Sequence, residues 1–177
     1  MTGGKLSLTP PERTIRPTMP YIASGFTSRV YESSVAGYVR KEHRDPASFS
    51  AEKPNHARLI KLFEGSCTDL PIRVPQLLPS KDYEMERVST TKPLWNQLVW
   101  GSLAQEEKDH YRWVVMTCLE RLAKYEFFMR NVQVYVQPDK SLVMLDFGDV
   151  HCTPGPGPLL QSHRIFPGPL TKSIMEK

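Results

Sequence analysis

The sequence predicts an α+β fold, in which a small antiparallel sheet with one helix precedes a reduced helical part that ends in a β-hairpin. Three observations lead to this prediction. Residues 21–41 contain three short runs rich in β-branched and aromatic residues, separated by small residues that favour turns. Residues 103–124 place apolar side chains at helical spacing. Residues 132–146 form two apolar runs on either side of a Pro-Asp-Lys turn.

The first half of the chain is expected to alternate strands with one helix. A strand begins at Tyr21, and after a turn that contains Gly25 the next strands cover 29–32 and 36–41. The helix runs from about Ala51 or Pro54 to Glu64 and is ended by Gly65, a residue common just past helix ends. Two further strands are expected at 71–78 and 83–88.

The second half begins with a short helix over 93–100 that Gly101 stops. Ser102 to Gln105 has the pattern of a capping box, which predicts a second helix that extends to about Lys124. The apolar residues of that helix should form one buried face: Tyr111, Val114, Val115, Cys118, Leu119 and Leu122. The hairpin of 132–136 and 142–146 follows.

Composition excludes several function classes. A chain of 177 residues with a net charge of +4 and interspersed charges is one domain without the basic stripe of a nucleic-acid binder. No apolar run approaches the ~18 residues that a membrane span needs. The N-terminus lacks the apolar region of a secretory signal, and the three cysteines form no C-x-x-C pair. We expect a cytoplasmic protein, or a nuclear one, with idle thiols.

The order of elements ends in Asp146-Phe147-Gly148, fifteen residues after Asn131. Over residues 21 to 150 the chain resembles the protein-kinase-like superfamily, in particular its aminoglycoside and choline phosphotransferases and the fungal kinase-like proteins. The resemblance implies a kinase-like fold that binds ATP and Mg²⁺. It divides residues 21–150 into an N-lobe (21–88) and a reduced C-lobe (89–150), while proline and glycine content predicts a disordered arm (1–20) and a Pro/Gly-rich tail (151–177).

Four residues are expected to contact the nucleotide. The turn with Gly25 and Ser28 is similar to the phosphate-covering loop, where backbone N–H groups approach phosphate oxygens. Lys41 would contact the inner phosphates, and we prefer it to Arg40 because it shares a strand face with Val39. Glu86 lies in the strand that resembles the adenine-binding hinge.

The family holds this lysine with a glutamate of the following helix. Glu52 and Glu64 are the candidates, but both are expected at helix ends. His56 occupies the better-aligned position, so the sequence predicts a departure from the family's ion pair.

The metal site is expected at Asn131 and Asp146, which the intervening hairpin would bring together. A carboxylate and an amide oxygen suffice for Mg²⁺, which takes its other ligands from phosphates and water. In the family the catalytic base is an aspartate five residues before the asparagine, and Glu126 stands at that position here. Glu126 is therefore either the general base, acting beside Asp146, or an ordinary surface residue.

Two functions follow from these features. In the first, the protein transfers phosphate from ATP to an unidentified acceptor with Glu126 as base. In the second, it is an inactive, pseudokinase-type interaction module, and a partner protein covers the reduced C-lobe. Neither reading involves nucleic acid or a membrane.

Overall fold

The computed structural model describes residues 20–24, 28–129, 132–148 and 150–151. The predicted arm except Pro20, and the predicted tail except His151, lie outside these residues. The elements in chain order are β1 (Tyr21–Ser24), β2 (Ser28–Glu32), β3 (Tyr38–His43), α1 (Pro46–Ser66), β4 (Ile72–Arg73), β5 (Glu84–Glu86), α2 (Gln97–Ser102), α3 (Gln105–Ala123), β6 (Phe128–Met129), β7 (Gln133–Val136), β8 (Leu142–Leu145) and β9 (Val150–His151). No helix within the described residues is long and apolar enough to cross a membrane.

The first sheet is antiparallel, with strand order β1-β2-β3-β5. The turn between β2 and β3 depends on Gly37, whose φ of 81° is a left-handed conformation that glycine adopts without steric cost. The turn is closed by the Ser33 N–H, which donates to the Tyr38 carbonyl at 3.2 Å. This small antiparallel sheet at the start of an α+β chain agrees with the coarse fold class that the sequence predicts.

Helix α1 begins earlier than predicted, at Pro46, and it includes both Pro54 and Gly65. Proline suits the first position of a helix because the N–H that it lacks would have no helical partner there. The buried face of α1 carries Glu52, His56, Leu59 and Phe63, at helical spacing. Two of these four side chains are polar, and both belong to the site described below.

Helices α2 and α3 also differ from the prediction at their ends. Gly101 lies inside α2 rather than beyond it, and the Asn96 side chain caps that helix by accepting from the Leu98 N–H at 2.9 Å. Helix α3 starts at Gln105, where the Glu107 carboxylate accepts from the Ala104 N–H at 3.1 Å. All six residues predicted to form the buried face of α3 are buried.

The second sheet has the order β4-β8-β7. The predicted hairpin is present, with Gln133 opposite Leu145 and Val136 opposite Leu142. The predicted strand over 71–78 is reduced to β4, which pairs in parallel with β8, and an isolated bridge between Leu77 and Met85. Strands β6 and β9 form a separate antiparallel pair that the sequence did not predict, because two-residue strands carry no periodic signal.

One apolar core joins α1, α3 and the second sheet. Leu59, Val114, Leu122 and Leu142 have no exposed surface within it. Close packing of this kind fixes neighbouring elements relative to one another. The end of β8, where Asp146 follows, is therefore held in place by the core on one side.

Candidate functional site

A cavity of about 760 Å³ lies between the first sheet and the β7–β8 hairpin. This is within the size range of small-molecule and cofactor sites, roughly 300–1,000 Å³. Apolar side chains from the strands contribute to its walls: Ile22, Val30, Val39, Met85 and Leu145. Four of the residues selected from the sequence line this same cavity: Ser28, Lys41, Glu86 and Asp146.

Lys41 is the cation at the centre of the site. Its Nζ donates to Glu52 Oε1 at 2.6 Å and lies 3.8 Å from Asp146 Oδ1. The Lys41 side chain is 11% exposed and that of Glu52 is 3% exposed, so water screens this ion pair little.

The expectation that His56 would replace the glutamate partner was wrong. Because α1 begins at Pro46, Glu52 lies well inside the helix and one turn before His56, rather than at a frayed end. Its carboxylate reaches Lys41 on β3.

Glu52 has one further hydrogen-bond partner and one further polar neighbour that the sequence did not suggest. Its Oε2 accepts from His43 Nε2, and its Oε1 lies 3.4 Å from the Tyr83 hydroxyl. Burial alone would raise the pKa of Glu52, but Lys41 and His43 outweigh that effect and hold the pKa below its usual value. The two-residue strand period, which places His43 on the same face as Lys41, was the available signal.

His56 is buried next to the site and contacts residues from three other segments. Its Nε2 hydrogen bonds with the Pro75 carbonyl at 2.8 Å and its Nδ1 with the Tyr83 hydroxyl at 3.0 Å. The Phe147 ring packs 4.5 Å from the His56 ring, centroid to centroid. Burial lowers the pKa of His56 to about 4, so the ring is neutral at neutral pH. The carbonyl can only accept, so Nε2 carries the proton and Nδ1 accepts from Tyr83.

Asp146 lies at the end of β8 with a φ of 67°. This left-handed conformation is uncommon outside glycine, although aspartate and asparagine adopt it more often than other residues. Its Oδ2 accepts from Gln133 Nε2 at 2.9 Å, and Gln133 Oε1 in turn accepts from the Tyr135 hydroxyl at 3.1 Å. The next residue is also anchored, because Asn55 Nδ2 donates to the Phe147 carbonyl at 3.0 Å.

The donor set around Asp146 fits magnesium that arrives with phosphates. Among the residues that the structure describes, no group of three or more His, Cys, Asp or Glu could hold a metal by itself. Magnesium is commonly bound through one or two carboxylates, with phosphate oxygens and water as its other ligands. Asp146 is 35% exposed and lines the cavity, so it could serve as such a carboxylate.

Glu86 lines the cavity, but its carboxylate is engaged elsewhere. Both carboxylate oxygens accept from the Arg73 guanidinium, at 2.7 and 2.8 Å. Its backbone N–H donates to the Gln76 carbonyl at 2.8 Å.

Of the remaining selected residues, the structure describes only Glu126, which is not brought into the site. Gly25 and Asn131 lie outside the described residues, so their predicted roles stay predictions. Glu126 follows α3 and precedes β6, is exposed, and has a φ of 55°. It is not among the residues that line the cavity.

Comparison of the sequence with models of protein families gave no match, and comparison with curated proteins gave no match either.

Proposed function

We propose that this protein is a kinase-like nucleotide-binding domain that takes Mg-ATP into the cavity between its two sheets. One observation carries the proposal: Lys41 and Glu52 converge in one cleft with Asp146, which lies far from both in the sequence. A buried lysine held by a helix glutamate, next to a carboxylate at a strand end, matches what phosphate binding with Mg²⁺ requires.

The residues divide into two sets with different tasks. The apolar strand residues Val30, Val39 and Leu145 would contact a planar base, as hydrophobic side chains do in most cofactor sites. Lys41 would donate to phosphate oxygens, and Glu52 keeps its ammonium in place. Bound Mg²⁺ would neutralise phosphate charge, and Asp146 is the carboxylate that would hold it.

Binding without efficient transfer is the form of the proposal that the site favours. A general base must come within hydrogen-bond reach of the proton that it removes. Glu126 is exposed and lies outside the cavity. The Glu52 carboxylate is engaged by Lys41 and His43. The Glu86 carboxylate is engaged by Arg73. The position of Glu126 therefore supports the surface-residue reading and a pseudokinase-type module.

Thermal unfolding with and without Mg-ATP tests the proposal. A ligand that binds the native state alone adds RT ln(1 + [L]/Kd), about 2.7 kcal/mol at a hundredfold excess over Kd. We expect wild-type protein to be stabilised and Asp146→Asn to lose most of the Mg²⁺-dependent part. Asparagine tolerates the left-handed backbone at this position, so this variant should fold.

Asp139→Asn is the matched control, because Asp139 lies in the exposed turn of the hairpin and bonds Ser141. It should respond to Mg-ATP as wild type does. An absence of stabilisation of the wild type at millimolar Mg-ATP would refute nucleotide binding. ATP-dependent turnover that disappears in Glu126→Gln would refute the non-catalytic form and restore the phosphotransferase reading.

A further inference from the structure

We propose that His43 is a positioning residue, which holds the Glu52 carboxylate so that Oε1 faces Lys41. This inference deepens the proposed function and rests on it, because it assigns to His43 a role in preparing Lys41 for phosphate. The sequence resemblance does not point to this residue.

The geometry of β3 provides the first argument. Lys41 and His43 are two residues apart on one strand, so their side chains leave the same face. Each engages a different oxygen of one carboxylate: Lys41 Nζ bonds Oε1 and His43 Nε2 bonds Oε2. A carboxylate held at both oxygens has a fixed orientation, whereas one held at a single oxygen can rotate about its last bond.

Burial provides the second argument. The side chains of His43 and Glu52 are each 3% exposed, so water cannot readily replace a lost donor on Oε2. Burial disfavours the charged form of Glu52, and the hydrogen bond from His43 is one of the interactions that lower its pKa again. Without that donor, Glu52 should take up a proton at a higher pH and release Lys41.

Other ionisable groups surround the bond between His43 and Glu52. Lys41 on β3 and Glu52 on α1 form the pair itself. Tyr83 stacks on the His43 ring at 6.1 Å and has a pKa raised by burial, so it stays protonated. His56 is neutral at neutral pH, and Asp146 interacts with Lys41 from the cavity side.

Two substitutions distinguish the hydrogen bond that His43 donates from the packing of its ring. His43→Gln keeps an N–H at about the reach of Nε2 but removes the ring that stacks on Tyr83. His43→Phe keeps a ring and removes the donor. If His43 acts through its hydrogen bond to Glu52, the glutamine variant preserves function and the phenylalanine variant does not. If it acts by packing alone, the order is reversed.

The experiment measures Mg-ATP affinity from pH 8 to pH 5 for wild type and both variants. We expect His43→Phe to bind Mg-ATP about tenfold more weakly at pH 6, because a hydrogen bond to a charged group is worth about a factor of ten in affinity. As the pH falls, this variant should also lose its affinity at a higher pH than wild type does. His43→Gln should stay within about twofold of the wild type. His110→Phe on α3, an exposed histidine away from the cavity lining, is the control.

A second readout does not depend on the nucleotide. The rate at which an amine-reactive acylating reagent modifies Lys41, followed by mass spectrometry, should increase in His43→Phe and stay near wild type in His43→Gln. If wild-type protein fails to bind Mg-ATP but the modification rates follow this order, the proposed function fails and the positioning role stands. Equal rates and equal pH profiles in all three proteins would overturn the role of His43.

Discussion

The region around Lys41 and the region around Glu126 differ in burial and in polar contacts. At Lys41 the functional groups are buried, and each has partners from a different element, namely β3, α1 and the segment before β5. At Glu126 the side chain is exposed, and the residue sits in a left-handed turn between α3 and β6. Buried polar contacts are therefore present around Lys41, whereas the described residues make none with the Glu126 side chain.

This difference bears on whether the site is built for ligand binding or for proton transfer. A buried polar group costs stability unless it is paired, so a cluster of paired buried groups marks a region where geometry matters. An exposed residue in a turn carries no such requirement. The comparison therefore favours ligand binding at the Lys41 side over proton transfer at Glu126, and four changes can break or sharpen it.

The largest effect is expected from Lys41→Met. It leaves Glu52 without its main cation in a buried position, which should destabilise the protein by about 3–5 kcal/mol. The double variant Lys41→Met/Glu52→Met replaces the whole pair by apolar side chains and should recover most of that loss. Chemical denaturation measures both.

Lys61→Met on the exposed face of α1 is the control and should change the free energy of unfolding by less than about 0.5 kcal/mol. A double variant as unstable as the single one would show that the ion pair is not the source of the effect.

Acid should destabilise the protein through His56. The pKa of His56 is lowered from 6.5 to about 4 in the folded protein, so the unfolded chain binds its proton first as the pH falls. The stabilisation is complete above pH 6.5 and is lost between pH 6.5 and about 4, by about 3 kcal/mol. Glu52, whose pKa is lowered from 4.5 in the folded protein, adds a further loss that begins as the pH falls through about 4.5.

His56→Gln should flatten the dependence between pH 6.5 and pH 4 in denaturation curves. His110→Gln, an exposed histidine of α3, should leave it unchanged. A wild-type stability that is constant over this range would mean that His56 is not buried in neutral form.

A smaller effect is expected from Glu126→Gly. The left-handed backbone at Glu126, with a φ of 55°, costs a side chain about 1 kcal/mol that glycine avoids. Glycine also gives the unfolded chain more freedom, so the variant should be more stable by at most about 1 kcal/mol and should bind Mg-ATP as wild type does. Lys124→Gly, two residues earlier at a helical φ of −63°, should instead be destabilised. Weaker nucleotide binding by Glu126→Gly would return Glu126 to the site.

The smallest effect is expected from Gly148→Ala. A Cβ at this position would lie 4.0 Å from Glu52 Oε2, which is ordinary van der Waals contact. The free energy of unfolding should change by less than about 0.5 kcal/mol, as measured by denaturation. A large loss would show that the Asp146-Phe147-Gly148 turn approaches α1 more closely than the structure indicates.

Sequence reasoning predicted the elements with strong periodicity. The buried face of α3 and the β7–β8 hairpin were predicted correctly because their apolar spacing reflects packing directly. The ends of α1 were predicted poorly, because Pro54 and Gly65 resemble helix boundaries when tertiary packing is unknown.

The part of the candidate site that depends on local sequence pattern was also predicted. Lys41 inside β3 and Asp146 just after β8 are identified by the local strand pattern, and both line the cavity. The pairing of Lys41 with Glu52 depends on where α1 begins and how it packs on β3, which is long-range information. His43 was missed because its role depends on how α1 packs against β3. Gln133 was missed because its hydrogen bond to Asp146 depends on the register of the β7–β8 hairpin.

Paramagnetic NMR with Mn-ATP tests the central claim most directly. If the metal of a bound nucleotide lies at Asp146, the amide signals of Leu145, Asp146 and Gln133 should broaden first, and Asp146→Asn should abolish the effect at the same concentration. Broadening centred elsewhere, or none at millimolar Mn-ATP, would contradict a nucleotide site between Lys41 and Asp146.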